Sequence, residues 1–205
     1  MVLVAITGGI AAGKSTVLQN FERLGARTFD ADEAVHELYR ESEALRNEVV
    51  ERWGAEVLDE GGHVRRDAVG AIVFRDPQER KWLNERIHPA VQQRMVEEAA
   101  RDNSPLFCAI PLLFEVGWDR KMDTTVAVWC DPGTQRERLA GRGWSEEEYE
   151  RRAAAQWSMN KKLEQADFGL INTGTRDLLL RQCEAVRAIV TTRMKEYETL
   201  SRGDA

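Results

Sequence analysis

No stretch of this 205-residue chain is apolar for long enough to cross a bilayer. The longest strongly apolar runs, around Leu106 to Phe114 and Thr124 to Cys130, fall far below the roughly 20 residues a spanning helix demands. Positive charge is in the minority: 29 Lys and Arg stand against 35 Asp and Glu, and a formal net charge of -6 argues against general attraction to DNA, RNA or acidic membrane. Cysteine is scarce. Cys108, Cys130 and Cys183 are far apart and form no metal-like cluster, so they read as reduced, buried thiols of a protein of the cytoplasm. The N-terminus has neither a basic region nor a cleavage site, so no targeting segment is expected, and no repeat or low-complexity tract appears. A chain of this length can bury about 70% of its unfolded surface, enough for one sizeable core with a small inserted region. One main domain over 1–205 is expected.

What is present begins at once. The apolar stretch Val2 to Ile6 runs into Thr7-Gly8-Gly9-Ile10-Ala11-Ala12-Gly13-Lys14-Ser15-Thr16, which reads as a strand, a phosphate-cradling loop and a helix start. Gly8 to Ser15 has the Walker A spacing, and Val17, Leu18, Phe21 and Leu24 supply the helical periodicity that must follow it. In such a loop backbone N–H groups from Gly8 to Thr16 wrap the phosphates of ATP and the helix N-terminus adds a favourable dipole. Lys14 reaches the outer phosphates, and the Ser15 hydroxyl coordinates Mg2+. The bland alternative is a glycine-rich turn before an amphipathic helix.

Apolar runs of strand length alternate with helical segments along the rest of the chain, the pattern of a parallel sheet covered on both faces. The expected strands are Val2 to Thr7, Arg27 to Asp30, Leu106 to Ile110, Thr124 to Trp129 and Phe168 to Ile171. The first helix, from Gly13 to about Leu24, should stop at Gly25. A helical section from Asp32 to about Trp53 breaks near Glu41 and Ser42. Further helices are expected over Arg66 to Phe74, Pro77 to Ile87, Pro89 to Arg101, Asp131 to Arg142, Ser145 to about Glu164 and Arg176 to Tyr197, before a polar tail at Ser201 to Ala205. Leu83, Ile87, Val91 and Met95 recur every four residues across Pro89, so His88 is expected at a kink or at the cap of a new helix.

Two polar constellations carry chemistry. Gln135, Arg138 and Arg142 fall at i, i+3 and i+7, one helical face, beside the turn Gly141-Arg142-Gly143-Trp144. Ser145 and Glu148 suit a capping box for the next helix. Such a face fits a lid closing over polyphosphate; the alternative is a solvated arginine face paired with Glu137 and Glu146 to Glu148. Asp30-Ala31-Asp32 closes the second strand and opens a helix, at the carboxyl edge where open α/β sheets bind ligands. From there Asp32 could take a proton from an attacking hydroxyl and, through water, help hold Mg2+. The alternatives are a turn residue at Asp30 and an ordinary N-cap at Asp32.

Taken in order, these residues resemble the dephospho-coenzyme A kinase family. The resemblance runs from the first strand to about Gly174. It is carried by Thr7 to Ile10, Asp30-Ala31-Asp32, Arg65-Arg66 after Gly61-Gly62, Phe74, His88-Pro89, Pro111-Leu112-Leu113-Phe114-Glu115, Gln135 with Arg138 and Arg142, Gln156, Ala166-Asp167 and Asn172-Thr173-Gly174. It implies a P-loop NTPase fold, a three-layer α/β/α sandwich on a five-stranded parallel sheet. A helical acceptor-binding region at about 32–101 and a helical lid at about 131–165 are implied with it. The implied activity is transfer of the γ-phosphoryl group of ATP to the 3′-hydroxyl of the ribose of dephospho-CoA, with Mg2+, by a monomer or weak homo-oligomer. Other acceptors (nucleoside, nucleotide or shikimate-like) and a regulatory nucleotide switch are the competing functions.

The same resemblance assigns Asp32 as general base, Lys14 and Ser15 as phosphate and magnesium contacts, and Arg142 as lid arginine, with Arg138 beside it. Arg66, with Arg65, would meet the acceptor and His88 would help build its pocket. Asn172 and Gly174 stand where adenine is held, or in a plain strand-to-helix turn. Glu115 is suited to orient acceptor or metal-bound water, whereas Leu113 is explained equally by pocket wall or packing. Two departures stand out. Ala11-Ala12 replaces the family's Gly-Ser or similar pair, so any phosphate contact from a side-chain hydroxyl there is missing while backbone contacts survive provided Ala11 needs no positive φ, and Ala109 occupies the place of a Walker B-like aspartate.

Overall fold

The computed structural model describes residues 1–203. Five strands, β1 (Leu3–Gly8), β2 (Arg27–Asp30), β3 (Leu106–Ala109), β4 (Thr124–Trp129) and β5 (Phe168–Ile171), form one parallel sheet in the order β2-β3-β1-β4-β5. All six residues of β1 are buried, and because successive side chains point to opposite faces, both faces of the sheet centre are covered. The result is a three-layer α/β/α sandwich. The strand order puts the carboxyl end of β1 in the middle of the sheet, with Asp30 two strands away, across from Ala109 of β3.

Helix α1 (Lys14–Arg23) turns Val17, Leu18 and Phe21 inward, and the Phe21 ring stacks on Phe107 of β3 at 4.0 Å between centroids. It ends as its glycine requires: Gly25 takes φ 75, and the N–H groups of Gly25 and Ala26 donate back to Glu22 and Phe21. Later elements of this unit are α6 (Pro132–Ala140), α7 (Glu146–Ala153), α8 (Met159–Gln165) and α9 (Arg176–Gly203). Asp131 caps α6 by accepting from the Thr134 amide at 2.9 Å, with Pro132 at the first helical position, where its missing N–H costs nothing. All three cysteines are buried and free; burial pushes the Cys108 thiol up to about 12. The expected polar tail is helical as far as Gly203, and its last two residues lie outside the described residues.

The chain divides into two compact units, Met1–Asp30 with Glu98–Ala205, and Ala31–Glu97. The second unit contains α2 (Ala31–Glu41), α3 (Glu43–Trp53), α4 (Arg66–Val73) and nearly all of α5 (Pro77–Ala99). The break read at Glu41 and Ser42 is a helix start, since the Ser42 hydroxyl accepts from the Leu45 amide at 3.2 Å. Between α3 and α4 a bridge pairs Leu58 with Val64 around Gly61-Gly62. Among the described residues no helix is long and apolar enough to cross a membrane.

Two expectations fail. Pro89 starts no new helix: α5 runs unbroken from Pro77 to Ala99. A proline inside a helix costs about 3 kcal/mol, but Leu83, Ile87, Val91 and Met95 are all buried on one stripe, and that burial outweighs the lost hydrogen bond. The second lid helix expected from Ser145 to about Glu164 is two helices, α7 and α8, parted at Ala154 to Ser158. Ser158 caps α8 through the Lys161 amide, and the Trp157 amide is claimed by Glu115 at 2.7 Å, a partner 42 residues away that periodicity could not reveal. The reciprocal cap expected from Glu148 lies outside the described side chains.

Candidate active site

The loop after β1 is shaped by its carbonyls. Gln135 Nε2 donates to the Ile10 carbonyl (2.8 Å), and one Arg138 nitrogen donates to Ala11 and Ala12 (3.2 Å each). The other Arg138 nitrogen holds the Asn172 carbonyl (2.9 Å), and Asn172 Nδ2 donates to Ala12 (2.8 Å). In a trans peptide the N–H points opposite the C=O, so carbonyls held from α6 and from the end of β5 turn the Ala11 and Gly13 N–H groups to the loop's other face, while the Ala12 N–H closes a turn onto the Gly9 carbonyl at 3.3 Å. Helix α1 adds its own first-turn donors there, because its N-cap, Gly13, has no side chain to accept from them. This is the arrangement a phosphate-binding loop needs.

Gly13 is constrained twice. Its φ is 101, and a Cβ there would stand 2.1 Å from the Asn172 amide nitrogen. Ala11 breaks the condition set for it: its φ is 58, the one positive value for a non-glycine among the described residues. A left-handed alanine costs about 1–2 kcal/mol. The side chain is buried and its carbonyl is gripped by Arg138, so its surroundings hold it there.

The Lys14 ammonium donates to the carbonyls of Gly8 (2.9 Å) and Gly9 (3.1 Å). Ser15 is exposed in the first turn of α1, with Thr16 half-buried beside it. Among the described residues no group of three or more His, Cys, Asp or Glu could hold a metal by itself. An exposed hydroxyl that shares a cation with phosphate oxygens and water fits Mg2+, which seldom occupies an all-protein cage. A cleft of about 500 Å³ opens beside Gly9 and Ile10, walled by Trp129, Tyr149, Trp157 and Met159.

Several expected residues sit elsewhere than expected. Helix α6 ends at Ala140, so Arg142 is in the following turn, exposed, and does not share the face of Gln135 and Arg138. That face points not at solvent but at loop carbonyls. Asn172 is buried; Gly174 is exposed in the turn before α9. Leu113 is fully buried, which leaves it no surface for a ligand.

In the second unit the helix begins at Ala31, so Asp32 stands inside the first turn of α2, exposed, rather than at the N-cap. Asp32 and Arg66 act on one neighbour that sequence reading passed over, His36. Burial holds the His36 imidazole below its ordinary range, with Arg66 and Arg40 adding to the effect and Glu33 and Asp32 opposing it. Arg66 also opposes the burial that pushes Tyr39 up to about 12. Arg65 is spent locally on the Asp67 carboxylate. His88, held low by burial, lines a shallow groove with Arg80, Lys81 and Glu85.

A profile of the family described as dephospho-CoA kinase matches residues 2–177. The chain is 40% identical over 190 residues to the dephospho-CoA kinase of Symbiobacterium thermophilum, covering 90% of this chain and 80% of that one. To the enzyme of the same name from Geobacillus kaustophilus it is 37% identical over 204 residues, 97% and 98% of the two chains. The chain belongs to the dephospho-CoA kinase family. Protein TT1252 of Thermus thermophilus superposes with a TM-score of 0.78 at 33% identity, over 91% of this chain and 96% of that one. The dephospho-CoA kinase of Campylobacter jejuni shares the fold at 23% identity, with a TM-score of 0.64 over 99% and 98%. The sandwich is thus that of the P-loop kinases.

One buried pair in this family member escaped the sequence reading. Lys162 is fully buried; its ammonium meets Glu115 Oε1 at 2.9 Å and donates to the Pro111 carbonyl, which also accepts from Thr7 Oγ1. Burial pulls the Lys162 pKa down while Glu115 pushes it up. A signal did exist, because Lys162 follows Met159 by three residues on the helix face that packs into the core. Glu115 thereby ties the loop after β3 to the start of α8, while its Oε2 is buried without a hydrogen-bond partner.

Removing one charge strands the other. Lys162→Met and Glu115→Gln are each expected to lower stability by about 3–5 kcal/mol, and the double variant by clearly less than the sum. Urea unfolding of the four proteins checks this, and simple additivity would show that the pair does not interact.

Proposed function

We propose that this chain transfers the γ-phosphoryl group of ATP to the 3′-hydroxyl of the ribose of dephospho-CoA, giving CoA and ADP. Membership in the dephospho-CoA kinase family over residues 2–177 carries the reading. The shaped loop supports it, since transfer of a phosphoryl group asks the protein chiefly for positioning and charge stabilisation.

The residues divide the work. The backbone from Gly8 to Thr16 receives the phosphates, with Arg138, Asn172 and Gly174 bordering the nucleotide. Lys14 leaves the Gly8 and Gly9 carbonyls for the outer phosphates and follows the charge that develops on the transferred group. Ser15 would hold Mg2+, with Asp32 acting through water; bound there, the ion neutralises phosphate charge. Asp32 orients the acceptor hydroxyl and takes its proton as the new O–P bond forms and the bond to the ADP oxygen breaks. Arg66, Arg65 and His88 belong to the acceptor region at about 32–101, and Arg142 to a lid at about 131–165. Glu115 acts by holding the loop after β3 in place. The enzyme works in the cytoplasm as a monomer or weak homo-oligomer.

The deciding experiment is an acceptor panel with ATP and Mg2+. Phosphorylation of dephospho-CoA at the 3′ position is expected, with little turnover of adenosine, nucleoside monophosphates or shikimate. A preference for any of those would overturn the assignment.

Asp32→Asn removes charge but not size. It is expected to bind ATP within about tenfold of the parent and transfer phosphate at least about 100-fold more slowly. Lys14→Ala should lose at least about 100-fold in turnover with the fold intact. Retained transfer in the folded Asp32 variant would move the acceptor-activating role to another group.

A further inference from the structure

We infer that Gln135, Arg138 and Asn172 are positioning residues that act on the nucleotide through the loop's carbonyls rather than by touching the adenosine. The inference rests on the kinase reading and deepens it. Three consecutive carbonyls, those of Ile10, Ala11 and Ala12, are each held by a side chain from outside the loop, at 2.8 to 3.2 Å. The donors come from two separate elements, α6 and the residue after β5, and Arg138 joins them by holding the Asn172 carbonyl as well. Asn172 is buried against the loop, and Gln135, which lines the cleft beside Gly9 and Ile10, spends Nε2 on the Ile10 carbonyl while its Oε1 accepts from the Tyr149 hydroxyl at 3.3 Å.

The clamp encloses the two residues with the least ordinary backbone. Ala11 is held left-handed, and at Gly13 a Cβ would stand 2.1 Å from Asn172 Nδ2, so any side chain there would displace the amide that holds Ala12. Without the three donors, the Ile10, Ala11 and Ala12 carbonyls would be free to rotate toward the ligand side, where a carbonyl oxygen repels phosphate. The donors therefore set the direction of the Ala11 and Gly13 N–H groups and hold the Ala11–Ala12 peptide in the turn that the Ala12 N–H closes onto Gly9, and the phosphate moiety should feel their loss in full.

That separates the two roles experimentally. Inorganic tripolyphosphate carries the phosphates of ATP without the nucleoside. Binding of Mg-tripolyphosphate and of Mg-ATP would be measured by calorimetry for the parent, Asn172→Ala, Gln135→Ala and Arg138→Lys. The first two substitutions are neutral and the third keeps its charge, so electrostatic attraction to phosphate is not altered directly. Each variant is expected to lose affinity for both ligands by the same factor, about tenfold. Loss for ATP alone would assign these side chains to the adenosine and overturn the inference, as would unchanged binding of both. Because Gln135 and Asn172 lie on different elements, misfolding of one variant leaves the other to decide, with thermal unfolding as the check. No acceptor is present, so the outcome is independent of whether dephospho-CoA is the acceptor.

Discussion

A loop that offers backbone N–H groups to phosphate must first dispose of its own carbonyls. Each peptide carries a donor and an acceptor pointing in opposite directions, and buried acceptors without partners are costly. Here the solution is to meet the carbonyls of Ile10, Ala11 and Ala12 with side chains from α6 and from the end of β5, elements more than 120 residues further along the chain. Much of the sheet follows from that demand. Strand β1 must lie between β3 and β4, buried on both faces, so that its end is fixed, and β5 must pair with β4 in a register that delivers Asn172 over Gly13.

The strands were legible because a fully buried parallel sheet leaves continuous apolar runs between helical segments. Arg27 to Asp30, Thr124 to Trp129 and Phe168 to Ile171 are the strands the sequence predicts, while β1 lies one residue later than predicted at both ends and β3 stops one residue short of Ile110. Gly25 and Ser42 were legible too, since each acts through its own backbone or a neighbour three residues away. Where the reading failed, a distant partner overrode local chemistry. The helix passes through Pro89 because a buried stripe holds both halves, and the second lid helix breaks because Glu115 takes the Trp157 amide.

The candidate site divides the same way. Gly13, Lys14 and Ser15 open α1 directly after the loop, as the spacing of the motif predicts. Gln135 and Arg138 share a face as their spacing says, but helical periodicity cannot tell whether such a face meets phosphate or carbonyl oxygen, and both attract the same donors. Arg142 left that face because α6 stops short of it at Ala140. Lys162 and His36 were missed for a different reason: a charged or titratable residue in a helix reads as solvated even where, as for Lys162 three residues after Met159, its position faces the core.

If the loop after β1 is shaped for phosphate before any phosphate arrives, crystal structures of the protein without nucleotide and with Mg-ADP should agree there. The backbone from Gly8 to Gly13 should be the same in both, with Ala11 left-handed near φ 58 and the donors from Gln135, Arg138 and Asn172 still in place; only the Lys14 side chain should leave its carbonyls. A peptide flip within the loop on binding, or Ala11 leaving the left-handed region in either state, would show that the ligand shapes the loop instead.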